Sequence, residues 1–158
     1  MGKIKTILIL LLLISGLASP PAMCEDTFRT GRVMDISGDV SIKVKGGNFV
    51  PASLGMEFTQ GDFIKTGMDS SALLFVEGIE TSQVEVYENS LLLMRELVMD
   101  REKGSQSTLL DLALGKILVK SKKIENKGSK FEVKTPTTVV GAMGDMDSSF
   151  SVQVEALD

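Results

Sequence analysis

The chain has 158 residues, a formal net charge of −4, one Cys and neither His nor Trp. Its length fits one domain, and 43% hydrophobic against 24% charged residues leaves enough apolar material for a packed core. Without an imidazole, Ser-His-Asp and Cys-His nucleophile systems and the usual zinc and non-haem iron sites are excluded. No basic excess points to nucleic acid.

The first 24 residues read as an export signal. Lys3 and Lys5 precede an unbroken apolar run from Ile7 to Ile14, extended by Gly16, Leu17 and Ala18 and broken by Pro20 and Pro21. The run is short of the about 20 apolar residues of a membrane span. Ala22-Met23-Cys24 presents small residues three and one before a cut ahead of Glu25; a cut after Ala18 competes with it. Lipidation of Cys24 is disfavoured, because Met23 and Pro21 stand where a lipoprotein signal places a small and an aliphatic residue. Residues 25–158 then form a single exported domain, periplasmic or secreted, with no Cys, no disulfide and no stable transmembrane span.

From there the pattern is that of short strands. Val40, Ile42 and Val44 alternate with Ser41, Lys43 and Lys45. The same period of two recurs at Val84 and Val86, at Phe131, Val133 and Thr135, and at Phe150, Val152 and Val154. Ser71–Val76 and Lys116–Val119 are denser apolar runs, which suit strands covered on both faces. Leu91–Met99 has helix-forming residues behind a capping Glu88-Asn89-Ser90, yet its neighbours all read as β, which favours strand. Gly38, Gly61, Gly67, Gly78, Gly104, Gly115 and Gly128 punctuate the chain as turns. The expectation is an all-β fold of about ten short strands, a compact β-sandwich or short β-roll.

The order of these pieces resembles the FecR-like domain family. Gly61-Asp62-Phe63-Ile64-Lys65-Thr66-Gly67, then Ser71-Ala72-Leu73-Leu74-Phe75 and Gly78, looks like its core motif. Leu112-Ala113-Leu114-Gly115-Lys116-Ile117 is similar to its leucine-then-glycine turn, and Phe131–Gly141, with Thr135-Pro136 inside it, to its closing strand. The chain departs from the family at Ala142-Met143-Gly144-Asp145, where the family carries Val-Arg-Gly-Thr. The resemblance implies a non-enzymatic module of the bacterial cell envelope that senses, regulates or scaffolds by binding a protein partner. Family members relay receptor occupancy to a sigma factor through a cytoplasmic segment and a membrane span. The sequence in hand shows neither, which points to a stand-alone exported domain. The motif residues Gly61, Asp62, Thr66, Gly67, Gly78, Thr135, Pro136, Gly141 and Gly144 read as structural, since Gly and Asp are default turn residues.

No catalytic, metal or cofactor site stands out, and no cofactor is expected. Asp147, Ser149 and Ser151 match a magnesium pattern of adhesion domains, but the loop-then-helix context that pattern requires is missing. The basic run Lys116, Lys120, Lys122, Lys123, Lys127 and Lys130 is the one local charge feature; it reads as a solvated hairpin or as an edge or loop that meets an acidic partner or a phosphate-bearing glycan. A glycan- or peptidoglycan-associated binding module is the alternative function, with little aromatic surface to support it: one Tyr and no Trp.

Overall fold

A computed structural model describes residues 27–79, 81–121, 126, 128–142 and 148–155. The residues expected to form an export signal, and Lys122, Lys123, Lys127 and Gly144, therefore lie outside the described residues. The fold is all-β, with thirteen strands among the described residues. They are β1 (Thr27–Phe28), β2 (Thr30–Ser37), β3 (Val40–Lys43), β4 (Phe49–Pro51), β5 (Glu57–Thr59), β6 (Phe63–Thr66) and β7 (Ser71–Val76). β8 (Ser82–Val86), β9 (Leu91–Asp100), β10 (Ser105–Ser121), β11 (Lys130–Lys134), β12 (Val139–Ala142) and β13 (Ser148–Val154) follow. Leu91–Met99 is strand. No helix among the described residues is long and apolar enough to cross a membrane.

The 17-residue β10 organises everything. Along one side it pairs antiparallel with β9 and then with β8, so residues 82–121 form one long bent hairpin. Along the other side its first half pairs parallel with β11 and its second half antiparallel with β13. The first half thus belongs to a sheet ordered β4-β3-β6-β9-β10-β11-β12, and the second half to one ordered β5-β2-β7-β8-β10-β13. The two are halves of one curled sheet that close on a common core of Val33, Ile42, Ile64, Leu74, Val84, Leu92, Leu110, Ile117 and Val133, all fully buried.

Chain length requires β10 to bend. Ser107 pairs with Lys130, which follows Ser121 by nine residues. A straight strand from Ser107 to Ser121 would span about 46 Å at about 3.3 Å per residue, beyond the about 31 Å that nine extended residues reach. The bend falls at Gly115, which adopts φ +94° beside a register shift between Leu112 and Leu114. The sequence reading of Gly115 as a turn between strands is corrected: the strand runs through it.

Three other readings change. Val44 is 49% exposed, because β3 ends at Lys43 and the chain turns there. Gly67, read with Gly61 as supplying a turn conformation that a side chain would resist, does not have positive φ, whereas Gly61 does. Ser71–Val76 and Lys116–Val119 are not covered on both faces: Leu73, Phe75 and Leu118 stay half-buried on the outer face, and Lys116 is exposed. Their apolar density reflects a partly apolar outer surface rather than a third layer.

Candidate functional site

The motif residues lie in the framework. Gly61, at φ +96°, donates its N–H to Met94 O (2.7 Å) and opens β6. Asp62 is buried, and its carboxylate accepts the N–H of Lys45 and of Thr59, both at 2.9 Å. It ties two loops to the start of β6. Replacing Asp62 with Ala leaves two amides without an acceptor and is expected to cost about 2–4 kcal/mol, while Asn, which keeps one carbonyl oxygen, costs less. Urea unfolding of the pair should rank wild type above Asn above Ala.

Thr66 holds the corner beside the bend. Its hydroxyl donates to Tyr87 O (2.6 Å) and accepts from Ser90 N–H (3.0 Å). Ser90 Oγ in turn accepts Lys116 N–H (3.0 Å). Gly67 accepts Asn89 N–H and donates to Asp39 O, each at 2.9 Å. Gly78 sits against a buried guanidinium, since a Cβ there would come 2.7 Å from Arg29 Nη1. Thr135 and Pro136 form the β11–β12 turn, where Thr135 Oγ1 accepts Thr138 N–H (3.0 Å). Gly141 lies in β12 opposite Glu132.

The described lysines of the basic run do not form one patch. Lys116 and Lys120 project from the second half of β10, whereas Lys130 starts β11, on the other sheet. Lys116 lies 5.1 Å from the Tyr87 ring centre. Lys120 pairs with Glu85 at 2.7 Å, which lowers the Glu85 carboxyl and raises the lysine. Lys130 pairs with Glu132 at 2.9 Å and is raised by it. The described cations of the run are thus engaged on their own surface. Among the described residues no group of three or more acid, His or Cys side chains gathers as a cation site. Ser149 and Ser151 lie on a strand, β13, rather than in a metal-binding loop.

One concavity was not signalled by any motif. Past Asp111 the strand β11 leaves β10, and β13 arrives only at Gly115. Between them Leu112-Ala113-Leu114 has no partner strand on that side among the described residues. The gap opens into a cleft of about 810 Å³. Ala113, Leu114, Val140, Val152 and Val154 give it an apolar lining, the Thr135–Thr138 turn forms one wall and Ser151–Glu155 the other. Leu114 is 36% exposed at its floor, and Glu155 is the one acidic residue among the described lining residues. It is an open surface concavity with a mostly apolar lining. No protein-family model matches the chain, and no curated protein or solved structure matches it.

Proposed function

We propose that this chain is an exported, non-enzymatic protein-interaction module of the bacterial cell envelope, acting in sensing, regulation or scaffolding. The supporting observation is the apolar cleft at the break between β11 and β13. It joins unpaired strand backbone to apolar floor residues, a combination suited to a peptide segment. The resemblance to the FecR-like domain, carried by Gly61–Gly67 and Phe131–Gly141, supports the same class of function. The glycan reading draws less support. The single Tyr, Tyr87, already lies near the Lys116 ammonium and donates its hydroxyl to Glu85 (3.1 Å).

Cross-linking of the tagged protein in its native envelope, followed by mass spectrometry, tests the proposal. One recurrent protein partner is the expected result. Cross-links to wall glycan alone, or to nothing, would overturn it.

A further inference from the structure

Among the described strands five stand at a sheet edge and four are protected, the two-residue β1 by its shortness. β4 has three residues and ends in Pro51, which lacks a backbone N–H. β5 has three residues, and its Glu57 is paired with Arg32 at 2.9 Å. β12 has four residues with Gly141 among them. β13 is different. Its seven residues, Ser-Ser-Phe-Ser-Val-Gln-Val, contain no charge, no Pro and no Gly. Among the described strands it bonds only to β10, through an unbroken register from Ser148–Ser121 to Val154–Gly115. A long, uncharged, regular edge with one side open is a template for a further strand, and proteins usually blunt such edges.

We propose that β13 is an acceptor edge, and that its occupant is an extended segment of a partner protein, uncharged along its centre and flanked by Lys or Arg. The inference rests on the protein-interaction reading and names the surface and chemistry of that interaction. Main-chain hydrogen bonds along β13 supply affinity. Alternate side chains of the incoming strand meet the apolar cleft beside Val152 and Val154, and this supplies selectivity. On the outer face the exposed Ser149, Ser151 and Gln153 suit small polar cross-strand neighbours. Phe150 already packs edge-on against Phe131, at 6.4 Å between ring centres, so the inner face of β13 is anchored before any partner arrives.

Charge selects the partner. In sequence the strand is bounded by Asp147 on one side and Glu155 on the other. Antiparallel pairing of β13 with a second copy would bring the acidic end of each strand against the acidic start of the other. Like charges placed opposite one another disfavour that pairing, while basic flanks complement it in either strand direction.

The test is a fluorescence-anisotropy titration of the purified exported protein with three labelled peptides. The first is Lys-Lys-Val-Thr-Val-Ser-Val-Thr-Val-Lys-Lys, the second replaces each Lys with Glu, and the third replaces the second and third Val with Pro. The first is expected to saturate. The second should bind at least roughly tenfold more weakly at low salt, and the difference should shrink as salt rises. The third should not bind, because its backbone cannot complete the ladder. Hydrogen exchange should show new protection confined to residues 148–154. Equal binding of the first and third peptides, or no binding of any while the protein remains folded, would overturn the proposal. So would protection of residues 148–154 that grows with protein concentration alone, which would show a second copy on the edge. Failure here combined with capture of a protein partner in the envelope would leave the interaction reading standing and move it to another surface.

Discussion

Replacing Arg29 with Ala is expected to lower stability by about 3–5 kcal/mol, the largest loss of any single polar substitution in this fold. Arg29 sits between β1 and β2 and is 6% exposed. Its Nε donates to Val98 O (3.1 Å), Nη1 to Glu77 O (3.1 Å) and Gln106 Oε1 (3.3 Å), and Nη2 to Ser107 O (2.8 Å) and the Thr108 hydroxyl. One planar fork therefore joins the N-terminal strand, the end of β7 and both arms of the β9–β10 hairpin. Truncation leaves several acceptors without a donor in a site closed to water. Arg29→Lys keeps the charge but replaces the fork with a single ammonium, so it should recover only a minor part of the loss. Burial pulls the guanidinium down to about 10, opposed by the nearby Glu96 charge, so it remains a cation at neutral pH. Because the folded value lies below that of a water-exposed guanidinium, the unfolded chain holds this proton more tightly over the alkaline interval between the two. Stability from this group therefore rises only as pH climbs through that interval, and profiles between about pH 6 and 9 should carry no step from it. Thermal melts within about 1 kcal/mol of wild type for Arg29→Ala would show that the fork is dispensable.

Gly115→Ala is the second large effect. A Cβ at this position would lie 2.5 Å from Ser90 Cα, and the backbone already sits at φ +94°. Conformational strain and overpacking each contribute about 1–3 kcal/mol, so a total of about 2–5 kcal/mol is expected. Gly55→Ala is the control. It shares the positive φ, at +78°, but has nothing within 4 Å of the new methyl group, and should cost only about 1 kcal/mol. Adding Ser90→Gly to Gly115→Ala should rescue little, because the closest remaining contact is backbone. A double-mutant cycle by denaturant unfolding measures this. Equal destabilisation at Gly55 and Gly115 would contradict the role assigned to the bend.

These two positions show what the sequence carries and what it hides. Strands with one apolar face announce themselves: Val84 and Val86 alternate with Gln83 and Glu85, and Phe131 and Val133 with Glu132, and each alternation became a strand with its apolar side buried. Leu91–Met99 was ambiguous because β9 is apolar on both faces, with Leu92, Met94 and Leu97 in the core and Leu91 and Leu93 half-buried outside. Gly115 was read as a turn because a glycine at a bend within a strand looks, locally, like a glycine between strands. Arg29 gave no local signal, since its side-chain partners lie 48 to 79 residues away. The cleft was illegible for a related reason. It exists because β11 and β13, separated by residues 135–147, flank the same side of β10 and leave Leu112–Leu114 between them. Asp62 was legible as a turn acceptor, but its two amide partners, one 17 residues distant, were not.

The most direct test of the proposed binding surface is a photo-cross-linking scan in intact cells that make the protein. A photoreactive amino acid is placed at Gln153 on β13, at Leu114 on the cleft floor and at Arg101 in the exposed turn between β9 and β10. Capture of the same protein from Gln153 and Leu114, and none from Arg101, is the predicted result. Capture from Arg101 alone, or equally from all three positions, would contradict the assignment of binding to the open side of β10.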